Sequence, residues 1–418
     1  MNSFLLQNEK PEQKISLSTL PETHVFRYNN KKDSLLPPKK PIEKKKDKTK
    51  ISPFIQQSNL NIEEEISVLT STPITDFPTE DSPDQEWDVT TYVGIERILT
   101  PLSFSLVEEI VESSVICCSC FSPDGKYLAI GSNLIVRIYE INSGEGGTIL
   151  KFDPSSPEFQ DVNHARSIQW FHDSERLIVG YDDGIARVFN SNGSLLYKIT
   201  DSTGQISKVL FSPNEAYFII SDSTGSLFQY NADTFELIKK KEHDAPIYGT
   251  SISYDSNLII IGLTNGYIYV YNSSFHLLYR SHCHDSIIYS ITFLLHFPSS
   301  IFSAQTDKIP IATGDGTGII KLWLWDKENK KLELFKTIPS HQSSVLDLTI
   351  DNTGKYLISG SKDMLAGFTS LETGITIYSI AASVNSVTTI CFSPNGDLFS
   401  LGSGDQTLKI FTYGYIDS

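Results

Sequence analysis

The sequence predicts an all-β fold, a seven-bladed β-propeller preceded by a disordered segment, and three observations lead there. From about residue 100 onward, short runs rich in Ile, Val, Tyr and Phe are separated every eight to twelve residues by Gly, Asn, Asp, Ser or Pro. That is the texture of short strands joined by tight turns. Two distant segments, VICCSCFSPDGKYLAIGSNLIVRIY (Val115 to Tyr139) and VTTICFSPNGDLFSLGSGDQTLKIF (Val387 to Phe411), align almost residue for residue, so the chain is an array. An aromatic closes each unit at Tyr139, Phe189, Tyr230, Tyr271, Trp323 and Phe411, with Thr369 in the sixth slot. The spacings of 50, 41, 41, 52, 46 and 42 residues sit near the roughly 40 to 45 of a four-stranded blade.

Residues 1 to 90 come first, mixing Lys, Pro, Ser, Thr and Gln with few regularly spaced apolar residues. Such a composition buries too little surface to offset chain entropy, and a disordered tail is expected. Its first 50 residues hold 12 basic against 6 acidic side chains, concentrated in PPKKPIEKKKDKTK (Pro37 to Lys50), a candidate nuclear-localisation signal or a solvated linker. Ser52-Pro53, Thr72-Pro73 and Ser82-Pro83 are candidate phosphorylation steps. The propeller is assigned to residues 91–418, where the balance turns strongly acidic within a chain of net charge −16. That charge repels a phosphate backbone, so no direct nucleic-acid binding by the propeller is expected. No apolar run is long enough for a membrane span, and MNSFLLQNEK lacks the pattern of a secretory signal. The five cysteines are therefore read as free thiols.

Each blade needs an inner strand, a turn, a buried second strand, a tight hairpin and a third strand ending in the aromatic. FSPDGKYLAIG (Phe121 to Gly131), FSPNEAYFIIS (Phe211 to Ser221) and FSPNGDLFSLG (Phe392 to Gly402) place Pro and Asx at the first turn, where Pro presets φ and Asx bonds its own backbone. The hairpin slot reads Asn133, Asp183, Thr224, Asn265, Thr317, Asp363 and Asp405. Insertions fall at Gly144 to Val162, before the second blade, and at Leu294 to Lys308, inside the fifth. The ring must close or leave open sheet edges. The segment of about 102–112 is expected to supply the missing outer strand beside the strand ending at Phe411.

A loop slot nine residues before the Phe-type position reads Glu112, Asp161, Ser202, His243, His284, His341 and Ser383. The pattern resembles the WD repeat, which implies a buried relay of loop His, strand Ser or Thr, turn Asp and Trp. By that resemblance His243, His284, His341, Ser359, Asp363, Asp405 and Trp323 are structural. The sixth unit has His341, Ser359 and Asp363 but Thr369 for Trp, and the fifth has His284, Thr313 and Trp323 but Thr317 for Asp. Packing is expected to outweigh the relay.

Catalytic chemistry is not expected. GDGTGIIK (Gly314 to Lys321) resembles a phosphate loop but occupies a hairpin slot, without the strand-to-helix context that aims a helix at phosphate. His284 in SHCHD is accounted for by the repeat, and alternation splits Cys117 from Cys118 and Cys120, so no metal site is assigned. No HExxH or GxSxG run occurs, no enzyme activity and no cofactor are expected, and surface remains. Five residues after the loop slot, the rim of the channel carries Cys117, Ser207, Tyr248, Tyr289, Leu346 and Thr388, with Arg166 by strand register in the second blade and His164 beside it. Arg166, Tyr248, Tyr289, Leu346 and His164 are the candidate partner-binding residues, since Tyr and Arg give large, rigid contact area with a polar handle.

VICCSCFSPDGKYLAIGSN, then RSIQW after the long insertion, then IYGTSI, IYSITF and SSVLDLTIDNTGKYLISGSKD resemble, across about residues 100 to 415, the propellers of WD-repeat corepressors of the Groucho/TLE and fungal Tup-type class. The resemblance implies binding of short motifs in DNA-bound repressors, with Arg166, Tyr248 and Tyr289 on that family's mouth positions. Residues 1 to 90 show no heptads, so the helical oligomerisation segment of that class is not expected. The resulting expectation is a non-enzymatic protein-interaction scaffold, a transcriptional corepressor-like adaptor, with the nucleus favoured over the cytoplasm. The alternatives are a cytoplasmic complex-assembly or ubiquitin-ligase substrate adaptor, or a phosphate-ligand binder or enzyme using Gly314 to Lys321.

Overall fold

In the computed structural model the described residues are 88–91, 102–133, 135–141, 148–151, 163–295 and 308–415. The expectations for the tail, including Pro37 to Lys50 and the three Ser/Thr-Pro steps, lie outside them. So does Asp161. Within them the chain forms seven antiparallel sheets and no helix, a seven-bladed propeller. Strands are lettered a to d from the channel outward. Blade 1 comprises Cys118–Phe121, Tyr127–Gly131, Ile135–Glu140 and Thr148–Lys151, so part of the first insertion is blade 1's outer strand. Blade 2 comprises Ala165–Trp170, Arg176–Tyr181, Ala186–Asn190 and Leu195–Ile199, and blade 3 Ile206–Phe211, Tyr217–Asp222, Ser226–Asn231 and Leu237–Glu242. Blade 4 comprises Ile247–Ile252, Leu258–Leu263, Tyr267–Asn272 and Leu277–His282, and blade 5 Ile288–Phe293, Ile309–Asp315, Ile319–Asp326 and Lys331–Pro339. Blade 6 comprises Val345–Ile350, Tyr356–Ser361, Ala366–Ser370 and Ile375–Ala381, with Asp88–Thr91 as a fifth strand. Blade 7 comprises Val387–Phe392, Leu398–Ser403, Thr407–Tyr415 and, from before blade 1, Leu102–Val111.

The last strand closes the ring. Leu102–Val111 runs antiparallel to Thr407–Tyr415, from Leu102 opposite Tyr415 to Val111 opposite Thr407. Neighbouring a strands touch all round, blade 7 against blade 1 included. Seven apolar clusters fill the gaps between blades, and each takes residues from two adjacent sheets. Phe171, Ile178 and Val188 of blade 2 meet Ile206, Val209, Phe218 and Phe228 of blade 3, for example. Because both faces of every sheet are covered, the b strands are buried beyond at most their first residue, and throughout in Tyr217–Asp222, Leu258–Leu263 and Tyr356–Ser361. That is why these strands read as continuous apolar runs rather than alternating ones.

Turn chemistry fixes each hairpin. At the a–b turn the first amide of strand b donates to a side chain before the turn: Tyr127 to Ser122 at 2.9 Å, Tyr217 to Ser212 at 3.1 Å, Leu258 to Ser253 at 2.9 Å and Leu398 to Ser393 at 3.0 Å. Blade 6 uses Asp351 for Tyr356 at 2.7 Å. The glycine-rich run Gly314 to Lys321 is a b–c hairpin. A Cβ on Gly314 would meet Val345 of the next blade, and Gly318 holds φ +89° against the His341 carbonyl. Both glycines thus have packing reasons, and the phosphate-loop alternative has no strand-to-helix junction to rest on.

Polar locks tie the d–a loop to the b–c hairpin, and their chemistry differs from blade to blade. Blade 5 corrects the sequence reading, because its relay is complete and the carboxylate comes from Asp315, two residues before Thr317. Trp323 Nε1 donates to Thr313 Oγ1 at 2.8 Å, Thr313 reaches His284 Nε2 at 2.7 Å, and His284 Nδ1 reaches Asp315 Oδ2 at 2.8 Å. Burial pushes the His284 pKa down, so the ring is neutral and its Nδ1–H donates. Asp315, buried but held by His284 and Thr317, sits at about 2. Thr317 instead donates its amide and hydroxyl to Asp315.

In blade 6, His341 joins Ser359 at 2.7 Å and Asp363 at 3.0 Å, while Thr369 bonds Thr376 at 2.9 Å in the slot where Trp stands in blade 5. Blade 4 turns its histidine elsewhere. His243 Nδ1 meets the Gly225 carbonyl and Nε2 the Tyr271 hydroxyl, each at 2.8 Å. Blade 1 uses an ion pair of Glu112 with Arg137 of strand c at 3.1 Å, and in blade 2 Asn163 Nδ2 donates at 3.0 Å to Asp183, which also pairs with Arg187 at 2.6 Å. Blade 3 pairs Ser202 with Asp222 at 2.7 Å, and in blade 7 Asp405 accepts from Val384 N at 2.9 Å and Thr407 Oγ1 at 2.7 Å.

Candidate functional site

The a strands of blades 2 to 7 share one irregularity. Their register against strand b slips between Ala165 and Ser167, Ile206 and Lys208, Ile247 and Gly249, Ile288 and Ser290, Val345 and Asp347, and Val387 and Thr389. Each slip is a β-bulge, which leaves one residue unpaired and re-aims its side chain. The six bulge residues are Arg166, Ser207, Tyr248, Tyr289, Leu346 and Thr388, and Cys117 holds the corresponding place just before the first paired residue of blade 1. The rim slots read from the repeat are thus the seven positions that the ladder does not use. They surround one end of the channel.

Neighbouring bulges bring Tyr248 and Tyr289 together, with ring centroids 5.8 Å apart and planes inclined by 41°. Both are half-buried, as is Leu346. Arg166 is exposed but held: Nε lies 2.6 Å from Asp182 Oδ1 and Nη2 3.0 Å from Oδ2. His164 Nδ1 shares the same carboxylate at 3.0 Å. Burial opposes ionisation of Asp182, yet the Arg166 guanidinium and His164 hold its carboxyl below the usual range. Burial works against the Arg166 charge too, and the bonds to Asp182 outweigh it and raise its pKa. Burial raises the Cys117 thiol beside them. The mouth therefore presents a fixed guanidinium–carboxylate pair and, past Ser207, a tilted tyrosine pair.

Below the mouth lies a channel cavity of about 300 Å³, lined by a-strand residues such as Ser119, Ser167, Lys208, Thr250 and Asp347. A collar of hydrogen bonds crosses its wall from blade to blade. Val209 N donates to Ser167 at 3.0 Å, Leu348 N to Ser290 at 3.1 Å, Ile390 N to Asp347 at 3.0 Å and Ser119 N to Thr389 at 3.3 Å. Lys208 Nζ stands 3.8 Å from Asp347 Oδ1. Sequence reasoning missed Asp182, Lys208 and Asp347, because each falls one or two places off the slots that the repeat makes visible. The residues assigned to the locks, His243, His284, His341, Ser359, Asp363, Asp405 and Trp323, bond within their own blades or to the adjoining turn. Among the described residues no group of three or more His, Cys, Asp or Glu side chains has the arrangement to hold a metal ion.

Three segments match the family profile of the WD domain, G-beta repeat: residues 106–140, 332–366 and 374–412. The first and third matches each join the outer strand of one blade to strands a to c of the next, and the second runs from the outer strand of blade 5 into strand c of blade 6. The chain is 26% identical over 156 residues to the target of rapamycin complex subunit wat1 of Schizosaccharomyces pombe, covering 36% of this chain and 47% of that protein. It is 28% identical over 190 residues to eukaryotic translation initiation factor 3 subunit I of Kluyveromyces lactis, covering 42% and 50%. With the pre-mRNA-processing factor 19 of Bos taurus it shares 26% over 115 residues, 27% of this chain and 22% of that one. The chain spans about half the length of the first two relatives. These findings correct the resemblance drawn from strings. The WD repeats stand, whereas the relatives are named as subunits of the target of rapamycin complex and of a translation initiation factor, not as corepressors of the Tup or Groucho type. The shared strings are those that any propeller of this repeat needs for its turns and buried strands.

Proposed function

We propose that this chain is a scaffold subunit of a multiprotein assembly in the cytoplasm, holding a short segment of another subunit at the mouth marked by Arg166, Tyr248, Tyr289 and Leu346. One observation carries the reading. The rim residues sit on bulges, where the residue has no partner across the strand pair and its side chain is re-aimed out of the ladder. A half-buried tyrosine pair offers rigid contact area at low entropic cost, and the Arg166–Asp182 pair offers both a donor and an acceptor whose positions are already fixed. An extended segment with an apolar anchor and a polar neighbour fits that combination. The names of the relatives favour membership in an assembly over recruitment to DNA. The cytoplasmic placement is part of this proposal, and the basic Pro37 to Lys50 segment is the feature to delete when testing it.

The test is affinity purification from the native cell, comparing the wild type with an Arg166→Ala, Tyr248→Ala, Tyr289→Ala variant whose folding is verified by an unchanged cooperative melt. Loss of a discrete set of co-purifying subunits is expected. An unchanged partner set refutes the mouth as the binding site, and loss of DNA-bound transcription factors alone refutes the cytoplasmic assembly.

A further inference from the structure

Exposed sheet edges invite pairing with other chains, and natural folds guard them with charge, proline or cover. Six of the seven outer strands here carry charged residues. They are Lys151 in Thr148–Lys151, Lys198 in Leu195–Ile199, Lys239 to Glu242 in Leu237–Glu242, Arg280 in Leu277–His282, Lys331, Glu333 and Lys336 in Lys331–Pro339, and Glu108 and Glu109 in Leu102–Val111. The outer strand of blade 6, ITIYSIA from Ile375 to Ala381, has none, and it is rich in the β-branched and aromatic types that pair well. On this one edge, among the described residues, the fold adds a fifth strand. Asp88–Thr91 lies antiparallel to it, with Asp88 opposite Ala381, Val89 opposite Ile380, Thr90 opposite Ser379 and Thr91 opposite Tyr378.

The absence of charge and the observed strand addition are independent, one read from sequence and the other from backbone pairing. Both point to the same edge. We infer that the outer edge of blade 6 is a strand-acceptor site for an extended, largely uncharged segment of a protein partner, and that Asp88–Thr91 occupies it between encounters. Among the described residues the cover pairs with Tyr378 to Ala381, four of the seven residues of the edge strand. A partner strand of about seven residues matches the whole edge through main-chain bonds, and alternate side chains supply the selectivity. Tethering keeps the chain's own segment at high effective concentration, which sets the threshold a partner must exceed. This site lies at the rim of the ring, on a different element from the mouth, so the mouth variant leaves it intact and each reading can fail alone.

The experiment uses the full chain and a Val89→Pro, Thr91→Pro variant, in which proline removes two backbone donors from the covering strand. The probe is a fluorescent synthetic peptide of residues 85–94. Hydrogen exchange across residues 375–381 is expected to quicken at least tenfold in the variant while other b and c strands are unchanged. The peptide is expected to bind the variant at least tenfold more tightly than the wild type, and adding Ala381→Glu, at an exposed position opposite Asp88 of the peptide, is expected to weaken it by a similar factor through like-charge repulsion. Unaltered exchange at 375–381, or a variant that does not take up the peptide, overturns the inference. So does dimerisation of the wild type that the proline substitutions abolish, since the edge then serves a second copy of this chain.

Discussion

The relay of blade 5 permits a quantitative test of whether polar locks or packing hold the blade. Thr313→Val is the cleanest perturbation, because it keeps the branched shape and removes only the hydroxyl. That hydroxyl accepts from Trp323 Nε1 at 2.8 Å and serves His284 Nε2 at 2.7 Å, and Thr313, His284 and Trp323 are 0%, 1% and 6% exposed. The substitution leaves an indole N–H and an imidazole nitrogen buried without partners. Each orphaned group costs about 1–3 kcal/mol, so a loss of roughly 2–5 kcal/mol is expected. Blade 6 supplies the internal control. Ser359→Ala also frees one histidine nitrogen, that of His341, but with Thr369 in the Trp slot no indole is orphaned. Its cost should be about one group smaller, some 1–3 kcal/mol. Urea unfolding read by tryptophan fluorescence and by far-ultraviolet circular dichroism compares the two. A Thr313→Val shift below about 0.5 kcal/mol, or one equal to that of Ser359→Ala, refutes the relay as a source of stability and returns the weight to packing.

Other consequences are as direct. Burial lowers the pKa values of His243 and His284, so the unfolded chain takes up protons that the folded one refuses once the pH drops below about 6.5. Stability should therefore decline from pH 7.5 to pH 5.5, and His243→Asn should flatten the slope by up to one proton; a pH-independent urea midpoint contradicts this. Asp315, at about 2 when folded against 3.8 unfolded, contributes stability above about pH 4 that is lost as the pH falls toward 2, visible as a steeper acid limb than in Asp315→Asn. Arg166→Ala removes an ion pair exposed on its Arg166 side, leaves Asp182 to His164, and should cost no more than about 1–2 kcal/mol while altering partner capture. Gly266→Ala places a Cβ against the His284 carbonyl at φ +79° and should cost about 1–3 kcal/mol, measurable as a lowered melting temperature. A chain beginning at residue 102 should fold, whereas one beginning at residue 113 loses the strand opposite Thr407–Tyr415 and should aggregate or melt early, as light scattering would report.

The blade architecture was legible because it is written redundantly. A turn such as FSPDG, a continuous apolar b strand such as LIIIGL and a closing aromatic recur in most units, so weak local signals sum over seven copies. The mouth slots were legible for the same reason, since counting from the loop position lands on each bulge. What escaped was whatever the repeat does not repeat. The Asp315 carboxylate sits two places before the slot where the pattern puts it, and Asp182 acquires its role only because Arg166 and His164 converge on it in space. The fifth strand on blade 6 escaped as well. Four residues of DVTT carry too short a pattern to announce a strand, and the edge they cover becomes conspicuous only when all seven outer strands are compared.

The contrast between what repeats and what varies also bears on how a ring of this kind acquires specificity. Blade-to-blade packing repeats: seven apolar clusters each bridge two sheets. The locks vary in chemistry, from the Glu112–Arg137 ion pair to the blade 5 relay, yet each performs the same task of tying a d–a loop to its hairpin at the mouth end. Any lock that satisfies its buried polar atoms is acceptable there, so divergence among locks need not move the rim. The bulge positions obey neither constraint. Cys117, Arg166, Ser207, Tyr248, Tyr289, Leu346 and Thr388 range from thiol to guanidinium to phenol to aliphatic because no ladder partner restricts them. Arg166 and Thr388 still bond to the frame, through Asp182 and the Ile116 and Gly402 carbonyls, whereas at Ser207 and Tyr248 substitutions can change partners at little cost to stability. Exchanging Tyr248 with Ser207 should therefore leave the urea midpoint within about 1 kcal/mol of the wild type while changing the set of bound proteins. A large destabilisation would mean that the tyrosines are held by the fold and not by a partner.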